Sequence, residues 1–164
     1  MILEKNGPVC ECGNHGCLEI LASGNAIALQ AQQTVKSGEE SAILQMAGDQ
    51  ISQIDAKIVF DAAREKDKTA ERIITAAVEY IGIGIANYIN LLDPDMVIIS
   101  GGIVNAGDIL LERLIPIIKE RQMKFAGRNV KIKVGELGEN ATSMGAAAMI
   151  LSKYINAGCN GKSI

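Results

Sequence analysis

Hydrophobic positions recur at helical spacing over most of this chain. From Leu18 to about Val35, residues Leu18, Leu21, Ala22, Ala28, Leu29 and Ala31 keep that rhythm around an interruption at Ser23-Gly24-Asn25, and Gly38 supplies a C-terminal stop. A short amphipathic piece is expected near Ala42 to Ala47, and Asp55 reads as the N-cap of a helix over Ala56 to Glu65. The longest pattern opens at Asp67 or Thr69 and runs to about Leu92, with Ile73, Ala77, Ile81, Ile85, Tyr88, Ile89 and Leu92 as its apolar stripe. Its second half, Tyr80 to Leu92, is apolar nearly all round and is expected to be a central, buried helix. Gly82 and Gly84 each cost that helix about 1 kcal/mol relative to alanine. Either a neighbouring element approaches closely there, or the glycines are merely tolerated.

Asp93-Pro94-Asp95 ends the helix. Met96 to Ser100 is a short apolar run, read as a buried parallel strand, with Gly101-Gly102 at its carboxyl end. Asp108 is expected to cap a helix from Ile109 to about Gln122, bent or broken at Pro116. Val130 to Val134 alternates, as an edge or half-buried strand does. Gly135 to Asn140 reads as a loop, and Ala141 to about Asn156 as a final helix rich in small residues. The expected class is α/β and helix-rich, with too few strands for an independent doubly wound sheet.

Composition narrows the function classes. A chain of 164 residues has room for one real core. Apolar residues make up 48%, aromatics 3%, and tryptophan is absent, so that core must come from Ile, Leu, Val, Ala and Met. A net charge of -3 with no clustered basic face argues against nucleic-acid contact by this part of the chain. No apolar run is expected to reach the roughly 18 residues of a membrane span. Met1-Ile2-Leu3 is followed directly by charge, which is unlike a signal peptide. Cysteines without an even framework suit a reducing, cytoplasmic setting.

The most concentrated chemistry lies near the start. Cys10, Cys12 and Cys17 form a C-x-C-x4-C pattern, with Gly13 and Gly16 free to take left-handed conformations that fold the loop back on itself. Three thiolates so spaced suit a structural, tetrahedral Zn2+ site. A Cys10–Cys12 disulfide would be strained. His15, the sole histidine, could reach the metal, or it could face solvent while a ligand from elsewhere completes the site. Ser100-Gly101-Gly102 occupies the end of a strand, where ligands of α/β sheets bind. Gly138-Glu139-Asn140-Ala141-Thr142-Ser143-Met144-Gly145 opens the last helix, whose N-terminus could face an anion or a base. Each of these two glycine motifs, taken alone, is equally compatible with a tight turn or a helix cap.

Taken together, C-x-C-G-x-x-G-C-L-E, A-S-G-x-A-I, G-I-G-I-A-N-x-I-N-L-x-D-P, S-G-G and L-G-x-x-A-x-x-x-G-A-A resemble the ROK family of bacterial sugar kinases and sugar-responsive repressors, over about residues 6 to 152. The resemblance implies the C-terminal lobe of an actin-like, ribonuclease-H-like ATPase fold carrying a zinc-binding loop. It implies residues 1–19 as that loop and the tail of a preceding lobe, 20–156 as the C-terminal lobe, and 157–164 as a flexible tail. Cys10, Cys12 and Cys17 resemble the family's zinc ligands. Glu19 resembles its sugar-binding glutamate, Gly101 and Gly102 its adenosine-side glycines, and Gly138 and Gly145 its adenine loop. Asn140 departs from the aspartate expected in the kinases.

The family's phosphate loop, catalytic aspartate and Glu-x-Gly-His segment do not occur here, so no catalytic residue is assigned. The chain is expected to be the C-terminal half of a hexose kinase using ATP and Mg2+, inactive by itself and homodimeric. The rival expectations are the sugar-sensing lobe of a ROK repressor and a truncated piece that self-associates through its long apolar helix.

Overall fold

The computed structural model describes residues 1–101, 103, 108–125 and 130–159. Helices α1 (Leu18–Ala22) and α2 (Gly24–Lys36) part at Ser23, which is extended and accepts the Ala26 amide on its side chain. The interruption read within one helix is thus a cap between two. Gly38, at φ +85°, follows α2 as its stop. A short α3 (Ala42–Met46) and a 3-10 turn (Ile51–Gln53) lead to α4 (Ala56–Arg64). Asp55 caps α4, its Oδ1 accepting the Ile58 amide at 2.8 Å.

Asp67 opens α5 (Lys68–Leu92) by accepting the Ala70 amide at 2.8 Å. The same carboxylate accepts the Ala42 amide at 2.7 Å and the Ser41 hydroxyl at 3.0 Å, so one side chain organises the starts of both α5 and α3. Burial acts to raise the Asp67 pKa, but these donors outweigh it and hold the carboxyl below its ordinary value.

Helix α5 is central, packing against α1, α2, α4 and α6 (Asp108–Arg121). Its first half is the more deeply buried: Ala70, Ile73, Ile74, Ala77 and Val78 are at most 2% exposed. The expectation of a fully buried second half is corrected, since Leu91 is 78% exposed and Leu92 65%. An apolar surface is buried only where an element lies against it. Helix α6 reaches this half through Ile117, beside Gly82, and α1 through Leu18, beside Gly84. A Cβ on Gly82 would lie 2.5 Å from Ile117 Cγ2 and 2.9 Å from Ile117 Cβ, so close approach explains that glycine, whereas one on Gly84 would meet the flexible end of Leu18, Cδ2, at 2.9 Å. By length and composition α5 is apolar enough to cross a membrane, contrary to the expectation that no apolar run is so long, and half of its most apolar stretch is buried inside the chain.

Strands β1 (Met96–Ile99) and β2 (Lys131–Val134) pair in parallel, Met96 opposite Lys131 through Ile99 opposite Val134. Ile99 is buried, but Met96 and Ile98 are exposed beside Lys131 and Lys133, so β1 is half-buried, contrary to the reading of a buried strand. A two-stranded sheet with helices on one face leaves its other face to solvent. Helix α6 is continuous through Pro116, so the helix is not broken there, and it seats Leu110, Leu114 and Ile118 in the core. A 3-10 turn (Gly138–Asn140) leads into α7 (Ala141–Cys159), whose Met149, Ile150, Leu151 and Tyr154 are exposed. Residues 157–159 of the expected tail are therefore helical, and 160–164 lie outside the described residues.

Candidate functional site

The first 17 residues fold into a tight loop stitched by backbone hydrogen bonds. Leu3 donates to the Gly16 carbonyl at 2.8 Å, Gly16 to Pro8 at 2.8 Å, and Cys10 to Asn14 at 2.8 Å. Gly13 and Gly16 take φ +87° and +61°. At Gly16 a side chain is excluded outright, because a Cβ would run into the Glu4 carbonyl. The loop is anchored to the core where Tyr80 on α5 donates its hydroxyl to Glu4, which also raises the Tyr80 pKa.

This folding brings the sulfurs of Cys10, Cys12 and Cys17 within 4.8 Å of one another. Cys10 and Cys17 are buried, while Cys12 is exposed. Hydrogen bonds from the Asn14 backbone and side chain bring the Cys12 pKa down to about 7. Burial, with Cys12 and Cys10 alongside, pushes Cys17 up to about 11. The donor set fits a thiophilic cation, since Zn–S bonds of about 2.3 Å in a tetrahedron put sulfurs about 3.8 Å apart; Cys12 Sγ and Cys17 Sγ are 3.6 Å apart. His15 lies outside the cluster, exposed, with Nδ1 3.2 Å from the Gly7 carbonyl.

Glu19 stands on the first turn of α1, immediately behind the loop. Cys10 Sγ donates to its Oε2 at 3.6 Å. The carboxylate borders an open groove of about 470 Å3, shared with Ser23, Ile81, Tyr88, Ser100 and Ile103. Sequence reasoning did not place Tyr88 here, having counted it in the apolar stripe of α5. Ser100 had a signal, because it precedes the two glycines. Its Oγ donates to the Gly138 carbonyl at 3.3 Å, which brings together the turn after β1 and the turn before α7. Gly101 and Gly138 have positive φ, 91° and 51°. No atom lies within 4 Å of where a Cβ would sit on Gly101, Gly138 or Gly145, so all three flank open space. None of Gly101, Gly138 and Gly145 lines the groove itself, and Gly145 lies within α7. Gly102 lies outside the described residues.

The profile described as the ROK family matches residues 1–153. The chain is similar to the glucokinase of Thermotoga maritima, 36% identical over 150 residues, covering 92% of this chain and 47% of that protein. It is 33% identical over 148 residues to the xylose repressor of Caldicellulosiruptor bescii, covering 90% of this chain and 37% of that one. A ROK family glucokinase from Streptomyces griseus, solved in complex with glucose and AMPPNP, superposes with a TM-score of 0.79 at 27% identity, over 91% of this chain and 49% of that one. The chain thus spans less than half the length of each of these proteins.

Proposed function

The chain belongs to the ROK family, and on that premise we propose that it is the C-terminal lobe of an ATP-dependent hexose kinase of the cytoplasm, glucokinase-like, working as a homodimer. The observation that carries this is Glu19 on the wall of the same groove as Ser100, whose hydroxyl joins the two glycine turns.

In this reading Glu19 accepts hydroxyls of the sugar, because an ionised carboxylate has acceptor sites for two donors at once. The bare backbone at Gly101, Gly138 and Gly145, with Gly102 beside it in sequence, takes the adenosine side of ATP, and Mg2+ enters with the nucleotide. Cys10, Cys12 and Cys17 hold a structural Zn2+, which supplies cohesion to a loop that has little core of its own. A thiolate at Cys10 has no proton to donate, so loading the loop leaves both Glu19 oxygens for the sugar. The family's catalytic aspartate and phosphate-loop motifs do not occur in this sequence, so the chain by itself is expected to transfer no phosphoryl group.

A second reading, the sugar-sensing lobe of a repressor, is supported by the likeness to the xylose repressor. Saturation-transfer NMR separates the two. A kinase lobe gives signals from both glucose and AMPPNP. Glu19→Gln weakens glucose binding about tenfold, the scale of one charged hydrogen bond, and leaves AMPPNP unchanged. Sugar binding without AMPPNP binding supports the repressor. Silence from both ligands, or phosphorylation of glucose by the isolated chain, overturns the proposal.

A further inference from the structure

We propose that Cys12 and Cys17 join in a disulfide when a hydroperoxide reaches the metal-free loop, which makes the loop an oxidant-sensitive switch behind Glu19. Their sulfurs are already 3.6 Å apart, so a bond of about 2.05 Å needs a closure of about 1.5 Å. The two cysteines are unequally placed. Cys12 is exposed and meets the oxidant first, while Cys17 waits buried beneath it.

The arms of the loop differ as well. The Cys17 arm is pinned, because Leu18 donates to the Met1 carbonyl at 2.9 Å, Ile2 bridges Cys17, and Gly16 is jammed against Glu4. The Cys12 arm turns at Gly13, which has open space around it. Closure is therefore made by Cys12 moving toward a fixed Cys17. Cys10 is the poorer partner, with its sulfur directed to Glu19 and only one residue separating it from Cys12.

The chemistry balances with one hydroperoxide. The Cys12 sulfur attacks a peroxide oxygen, the O–O bond breaks, and the leaving oxygen departs as water or an alcohol, giving a sulfenic acid. The Cys17 sulfur then attacks the Cys12 sulfur; the S–S bond forms, the S–O bond breaks, and a water leaves. Two thiols have given two electrons to one peroxide. The loop is left with a single thiol at Cys10, so its hold on Zn2+ is lost. Cys10 lies two residues from the moving Cys12, and its Sγ donates to Glu19 Oε2 at 3.6 Å, so the closure disturbs that contact and with it the carboxylate. This last link rests on the sugar-binding reading above, whereas the disulfide does not.

The test treats the chain with hydrogen peroxide in a Cys159→Ser background, which removes the fourth cysteine. Titratable thiols fall from three to one, a non-reducing peptide map shows Cys12 joined to Cys17, and dithiothreitol restores all three. A sample oxidised before metal is added takes up no zinc, whereas the reduced chain does. Cys12→Ser abolishes the cross-link and slows thiol loss about tenfold. Three surviving thiols overturn the proposal, as does sulfinic acid at Cys12 without a cross-link, or a bond to Cys10. Should Cys12→Ser fail to fold, the map of the parent chain decides alone. Glucose binding is followed in parallel. If the reduced chain binds no glucose, the sugar reading falls and the map still reports on the disulfide. If the disulfide forms and binding is unchanged, the switch falls.

Discussion

Replacing Gly82 with alanine tests the close seam between α5 and α6. The new methyl would sit 2.5 Å from Ile117 Cγ2 and 2.9 Å from Ile117 Cβ, well inside ordinary contact. Ile117 Cβ is bonded directly to the backbone of α6, so no rotation of that side chain relieves the clash, and α6 must move. Overpacking of this kind costs about 1–3 kcal/mol, and removing a helical glycine returns about 1 kcal/mol. With the clash reaching a backbone-bonded carbon, the upper part of that range, about 2–3 kcal/mol, applies, and the net expectation is a loss of about 1–2 kcal/mol. With a urea dependence of about 2 kcal/mol per molar, the midpoint of unfolding falls by about 0.5–1 M. Two companion variants set the scale. Gly84→Ala meets only a terminal methyl of Leu18 at 2.9 Å, which can swing aside, so it should be near neutral. Gly145→Ala meets nothing within 4 Å and should gain up to about 1 kcal/mol. Urea unfolding followed by far-UV circular dichroism ranks the three. If Gly82→Ala proves as stable as Gly145→Ala, the close seam between α5 and α6 is wrong.

Asp67→Ala removes the cap of α5 and strands the Ala42 amide and Ser41 hydroxyl; it should cost about 2–3 kcal/mol, summing a cap with a charged hydrogen bond. Because folding lowers the Asp67 pKa, its contribution is full above the unfolded carboxylate value of about 3.9 and fades as pH falls through the lower folded value. The gap between parent and variant should accordingly be flat near neutrality and shrink below about pH 4, and a gap that widens in acid refutes the assignment. Zinc should co-purify at one ion per chain, raise the melting temperature, and be lost on chelation or in any of Cys10→Ser, Cys12→Ser and Cys17→Ser, with affinity falling as protons compete for the sulfurs; equal metal content in a variant lacking all three cysteines would remove the loop from consideration.

The features legible in the chain are those decided by neighbours a few residues away. Asp55 and Asp67 cap their helices through amides three residues on, and Gly38 stops α2 by its own backbone freedom. The cysteine cluster belongs here too, because a glycine-hinged stretch of eight residues has few ways to close. What only the tertiary structure decided depends on partners distant in sequence. The last turn of α5 is as apolar as the rest, yet Leu91 and Leu92 are exposed, because burial belongs to pairs of surfaces. The groove needs Glu19, Tyr88 and Ser100 from three separate elements, and Ser100 meets Gly138 across 38 positions of chain. Periodicity reports which face of an element is apolar, and only the packing of one element on another determines what that face meets.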